Sequence, residues 1–265
     1  MRFVESGLTL RLWHTISFAM RRGAILISLL LGACDLSSAA QPPADAAAPA
    51  QARLAQEPLG PVFPAPDRPV ADIVSAAWSD EESRDNAGEA TQVFRLLKVK
   101  PGLSVADIGA GSGYYTSRLA PAVGPSGIVH ANDIIPDYLT RLRRRMESEG
   151  HGNVRFVLGD AGNANLPPQS VDIALMVHMY HEISDPFGLL WHLHEDLKPG
   201  GRVAIIDANR ATARHGTPPS LLTCELAAAG FRQASFNRLG NGSYLAVFEP
   251  VARPEPAAIK PCRAE

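Results

Sequence analysis

Apolar residues in the middle of the chain gather into short runs, each closed by an acid or a glycine and followed by helical spacing. Val105-Ala106-Asp107-Ile108 is the first such run, and a helical pattern starts at Tyr114-Tyr115-Thr116. Gly127 to Asp133 reads as a second buried strand, Val154 to Leu158 as a third, Ser170 to Val177 as a fourth and Gly201 to Asp207 as a fifth. A helix over Pro136 to Glu149 follows the second strand. Its Leu139, Leu142 and Met146 can face a sheet, leaving Arg141, Arg143, Arg144 and Arg145 solvated. Strands alternating with helices predict parallel βαβ steps. Lys198-Pro199-Gly200-Gly201 reads as a helix stop, since proline cannot continue a helix and glycine caps it. The period then changes: Phe231 to Leu239 and Ser243 to Glu249 flank Gly240-Asn241-Gly242, a hairpin signal. Upstream, Ser79-Asp80-Glu81-Glu82 is a capping box that opens one helix to about Leu97.

Gly109, Gly111 and Gly113 stand between the first strand and its helix. Glycine lets the backbone turn sharply and approach a ligand, and the free N–H groups of a helix start can point at it. A dinucleotide site needs G-x-G-x-x-G, with a pyrophosphate on the helix dipole. Here the spacing is G-x-G-x-G, with Asp107 two residues before the first glycine. A carboxylate there suits a ligand with a cationic amino group and no phosphate. A turn that binds nothing uses the same glycines. Asp133 lies twenty residues beyond Gly113, where a βαβ step places an acid for ribose hydroxyls, and Gly159-Asp160-Ala161 closes the third strand.

The ordered set from Ser79 to Glu249 resembles the class I S-adenosylmethionine-dependent methyltransferases, of the signal-peptide-bearing bacterial type. The resemblance implies an α/β, Rossmann-like seven-stranded sheet, mostly parallel with an antiparallel C-terminal hairpin, and helices on both faces. It implies S-adenosylmethionine as cofactor. The residues carried over to hold it are Asp107, Gly109, Ala110, Gly111, Gly113, Tyr115, Asp133, Ile134, Asp160, Ala161, Val177 and His178. At the position of Asp160, the family's acid accepts a hydrogen bond from the adenine amino group. A helix before the first strand often closes over cofactor or acceptor in such proteins, so Arg84 and Asp85 could reach the site or pair within their helix.

Chemistry belongs at the carboxyl end of the fourth strand, beside the point where strand order reverses. The sequence there, Val177 to Pro186, lacks the Asn/Asp-Pro-Pro-aromatic clamp of amino-methyltransferases acting on adenine or glutamine amides. Tyr180 and His181, with Glu182 beside them, offer a proton acceptor and its orienter. Alternatively, His181 bonds backbone and Tyr180 lines a pocket. No metal site is expected. His178 and His181 are three apart, His192 and His194 face away from each other on a helix, and no third ligand stands out. The thiol cluster that arsenite chemistry needs is missing too. The loop Asn209 to Pro219 is placed to cover an acceptor, where Arg210, Arg214 and His215 could attract an anionic group, or it is a mobile surface loop without contacts.

With 265 residues and a net charge of −2, the chain suits one α/β domain with extra segments, and no basic block points to nucleic acid. Arg21-Arg22, the apolar run Ala24 to Leu31, and Leu31-Gly32-Ala33-Cys34 read as an export signal whose end resembles a lipobox, with Cys34 the lipidated residue, or as a plain secretory signal or membrane anchor that contains a cysteine. Met20 is an alternative start. Residues 35–70 read as a disordered Ala/Pro-rich tether, 71–250 as the methyltransferase domain and 251–265 as a Pro-rich tail. Cys224 and Cys262 could bridge in an oxidising compartment or stay apart. The partners expected are a small-molecule methyl acceptor and a membrane, through the lipid at Cys34. That places the chain at the periplasmic face of a bacterial membrane, or in the cytoplasm if the N-terminus is not a signal. Two functions fit: a methyltransferase of small molecules, or an exported protein that binds an adenosyl ligand without catalysis.

Overall fold

The computed structural model describes residues 60–74 and 80–263, which belong to one compact unit, Gln56–Glu265. The export signal, Cys34, most of the expected tether and Ser79 lie outside the described residues. Among the described residues no helix is long and apolar enough to cross a membrane.

Seven strands form one sheet: β1 (Ser104–Ile108), β2 (Ile128–Asp133), β3 (Val154–Leu158), β4 (Val171–Val177), β5 (Leu197–Ala208), β6 (Phe231–Arg238) and β7 (Ser243–Pro250). Their order is β3-β2-β1-β4-β5-β7-β6. The first five pair in parallel, and β7 runs antiparallel between β5 and β6. This is the sheet expected from the sequence, hairpin included. The central strands are buried on both faces, as β4 shows in Ile173, Ala174, Leu175 and Met176, because helices cover each side. α3 (Tyr114–Val123) and α4 (Pro136–Ser148) pack on one face with Leu119, Leu142 and Met146. α5 (Pro186–Asp196) and α6 (Pro219–Ala228) pack on the other with Phe187, Leu190 and Leu226. The order of strands reverses between β1 and β4, successive strands being added to the left of β1 and then to its right. The loops after these strands therefore part and leave a crevice at their carboxyl ends.

Four local expectations are corrected. The single helix from the capping box is two, α1 (Glu81–Asn86) and α2 (Glu89–Leu97), because Gly88 takes φ 65° and breaks it. The N-cap is Asp80, whose carboxylate accepts the Ser83 N–H at 3.0 Å. α5 ends at Asp196, so Lys198-Pro199-Gly200-Gly201 lies inside β5, across a register shift, rather than capping a helix. The tether and tail are not loose where they are described. Arg68 is buried and Phe63 packs on Trp191, while Ile259 joins the core and the Trp191 indole donates to the Pro254 carbonyl at 2.9 Å. Cys224 and Cys262 form a disulfide that fixes the tail to α6.

Candidate active site

Gly113 closes the glycine turn at φ 89°, and a Cβ there would run into the Leu142 side chain of α4. Glycine is required for this close approach, and Gly113 packs against α4 instead of lining the crevice. The bend it allows sets Gly109, Ala110 and Gly111 against the open space above the sheet. Gly111 N–H donates to the Asp133 carboxylate at 2.9 Å, so β2 holds the turn in place.

The crevice has two lobes that share Gly109, Met179 and Glu182. Asp107, Tyr115, Val177, His178 and Arg84 line the first. The Asp107 carboxylate accepts the Thr116 hydroxyl at 2.6 Å, and burial pushes its pKa up to about 6. Arg84 turns inward rather than pairing within its helix. It reaches Glu89 of α2 at 2.7 Å and lies 3.8 Å over the Tyr114 ring. Asp85 points away to Arg118 and the Tyr114 hydroxyl. Asp133, Ile134, Asp160, Ala161, Tyr138 and Ile73 line the second lobe. Ile134 is 43% exposed and turns an apolar side chain to this lobe. Asp133 keeps its shape by accepting the Ile135 N–H at 2.9 Å, and Asp160 by accepting the Gly162 N–H at 2.9 Å.

A third, polar cavity adjoins the first lobe through Arg84 and His178 and is bounded by Asp80, Asn209, Arg210 and Ser243. His178 sits at the joint with φ 54°, a left-handed conformation unusual for a side-chain-bearing residue. Desolvation lowers its pKa, so the imidazole is neutral at pH 7.

The two residues expected to carry proton transfer do not line this space. Tyr180 is fully buried in the core beneath α5 and α6, under the Arg68 guanidinium. His181 is also fully buried, with Nδ1 3.0 Å from the Asp207 carboxylate. Asp207, at the end of β5, is the orienter that sequence spacing did not reveal. His215 turns from its loop toward His181, the rings meeting edge-on at 5.5 Å. His192 and His194 contact backbone carbonyls elsewhere.

Residues 105–201 match a family model described as a methyltransferase domain. The sheet that holds this stretch matches the Rossmann-like fold of class I methyltransferases. The cofactor indicated for it is S-adenosylmethionine. A crystal structure of an S-adenosylmethionine-dependent methyltransferase from Aquifex aeolicus is similar in fold to this chain. It has a TM-score of 0.63 at 23% identity, over 68% of this chain and 100% of that one. The chain is 33% identical over 110 residues to a protein-L-isoaspartate O-methyltransferase of Methanothrix thermoacetophila, covering 42% of this chain and 50% of that protein. A demethylmenaquinone methyltransferase of Geobacillus kaustophilus is 28% identical over 120 residues, 45% of this chain and 51% of its own length. The chain thus spans about half the length of these curated relatives. The stretch matched by the family model holds both lobes of the crevice except for Ile73 and Arg84, which come from segments before it.

Proposed function

We propose that this chain is an exported, lipid-anchored methyltransferase that uses S-adenosylmethionine to methylate a small molecule. The observation that carries the reading is the division of the crevice. Its charged lobe, with Asp107 and Arg84, suits an amino-acid end, and its lobe of Ile134, Tyr138, Asp133 and Asp160 suits an adenosine. S-adenosylmethionine held there would supply an electrophilic methyl on a cationic sulfur. Asp107 would hold its ammonium and Arg84 its carboxylate. Asp133 would accept its ribose hydroxyls, and Ile134 would cover its base. The third cavity, walled by side chains from separate segments, suits a compact acceptor, with Arg210 favouring one that carries an anionic group. Alignment does most of the work in such a displacement. Where the acceptor has a proton to lose, neutral His178 takes it in place of the buried His181. The disulfide between Cys224 and Cys262 supports export to an oxidising compartment, in keeping with the lipobox at Cys34.

The test is labelled-methyl transfer by the full chain across an acceptor panel, beside calorimetry with S-adenosylmethionine. Binding and turnover support the enzyme. Binding without turnover on any acceptor supports the adenosyl-binding alternative, and absence of binding removes both. His178→Asn, whose side chain tolerates the left-handed backbone, is expected to slow turnover about 100-fold with cofactor affinity within a factor of about three. A diacylglyceryl Cys34 at the mature N-terminus, seen by mass spectrometry, supports the anchor; an unprocessed N-terminus rejects it.

Asp107 also predicts a pH dependence. With its pKa raised to about 6, the carboxyl is neutral below that pH, and the cofactor's ammonium loses its partner. Affinity is therefore full above the pKa. It falls by up to about tenfold per unit as pH drops through it, over a range where the ligand's own ammonium stays charged. Calorimetry across this range checks the slope. In Asp107→Asn the slope disappears, and a parent with a flat profile rejects the pairing.

A further inference from the structure

From the cluster His181, Glu182 and His215 we infer that this chain carries a divalent metal site of the zinc class, next to the crevice. One ligand atom from each residue lies within 4.8 Å of the others, and His181 Nε2 is 4.0 Å from Glu182 Oε1. Tetrahedral zinc with bonds of about 2.0–2.1 Å holds its ligands roughly 3.3 Å apart, so small side-chain rotations close the set. Two histidines and a carboxylate are a donor set of the kind zinc takes when it keeps one position open.

The polar atoms point the same way. His181 Nδ1 lies 3.0 and 3.1 Å from the two Asp207 oxygens. An acid-only partner there keeps the proton on Nδ1 and leaves the Nε2 lone pair free for a metal. Asp207 is itself fixed by the Thr217 hydroxyl at 2.7 Å and the Ala208 N–H at 2.8 Å. This is the carboxylate–histidine arrangement that supports metal-bound imidazoles. His181 Nε2 is fully buried and has no hydrogen-bond partner, and the same holds for His215 Nδ1. Two orphaned imidazole nitrogens in one small space are costly unless something joins them. His215 holds φ 55°, and Arg210 donates to its carbonyl at 2.8 Å. Glu182 accepts the Val74 N–H at 3.2 Å and lines both lobes of the crevice, so an ion on it has a route from solvent and an open position facing the crevice. An oxygen or sulfur donor on a bound small molecule is the class of ligand that position would take.

The inference does not depend on methyl transfer, because the ion is measured without cofactor or acceptor. The full chain carrying Cys34→Ser, which removes the one cysteine outside the disulfide, is stripped with a chelator. It is then titrated with Zn²⁺ by calorimetry and with Co²⁺ by visible absorption. The expected result is one ion per chain and a cobalt spectrum of tetrahedral intensity. His215→Asn, compatible with the left-handed backbone, and Glu182→Gln each weaken Zn²⁺ binding at least 100-fold. Asp207→Asn weakens it about 10–100-fold. His192→Asn binds as the parent does. Circular dichroism melting confirms that each variant is folded, and should one unfold, the others still decide. A parent that takes up no stoichiometric ion, or equal affinity in folded His215→Asn and Glu182→Gln, overturns the site.

Discussion

Replacing Arg68 by alanine is expected to lower the unfolding free energy by about 3–5 kcal/mol, the range for removing one partner of a buried ion pair. Arg68 Nε donates to Glu225 Oε1 at 2.9 Å, and neither side chain is exposed. Its two terminal nitrogens reach the carbonyls of His181 and Tyr180 at 3.4 and 3.3 Å. One guanidinium thus joins the segment before α1 to α6 and to the turn after β4. Burial holds the Glu225 carboxyl above its usual range even beside Arg68. Without the arginine, that carboxyl must take a proton or stay charged in the core. The apolar pair Arg68→Met with Glu225→Leu removes both charges together and is expected to recover most of the loss. Urea unfolding with the disulfide intact measures all three proteins. A loss under about 1 kcal/mol for Arg68→Ala means that water reaches the pair, contrary to the geometry.

Arg68 also shows where sequence reading stops. It stands in a proline-rich stretch with no periodic apolar partners, so residues 35–70 read as tether throughout. Its role exists only because Glu225, far along the chain, is brought to it by the sheet. The strands and the glycine corner were legible because their signals are local: apolar runs closed by acids, and glycines where the backbone must turn left-handed. The acids Asp107, Asp133 and Asp160 were legible for the same reason, each marking the carboxyl end of its own strand. Side-chain direction after β4 was not. Tyr180 and His181 follow a strand that ends at the crevice, but the single turn Tyr180–Glu182 carries both inward and leaves Glu182 facing out to the ligand space. Arg84 was ambiguous until Gly88 split its helix and set Glu89 where it could hold the guanidinium. His215 meeting His181 depends on a loop path that no spacing rule describes.

Substitution of Asp133 by alanine is expected to weaken binding of S-adenosylhomocysteine about 100- to 1,000-fold. This follows from the loss of two charge-assisted hydrogen bonds at roughly 1.5–3 kcal/mol each, partly offset by water. Asp133 ends β2 with its residue almost fully buried, yet it lines the second lobe, proposed above for adenosine. Its two oxygens already accept the N–H groups of Gly111 and Ile135, both at 2.9 Å. These backbone donors fix the carboxylate and leave its remaining lone pairs toward the crevice, where ribose hydroxyls can use them. The same bonds hold the glycine turn, so alanine loosens the cradle as well as removing the acceptor. Asp133→Asn separates the two effects. Its carbonyl oxygen keeps one backbone bond, while its amide offers a donor where the ribose also donates, so affinity falls nearly as far with less change in melting temperature. Calorimetry with S-adenosylhomocysteine, alongside thermal melts of each variant, provides both readouts. Equal affinity in the parent and both variants would mean that the acid serves only the turn, and the adenosine lobe would then need a different occupant.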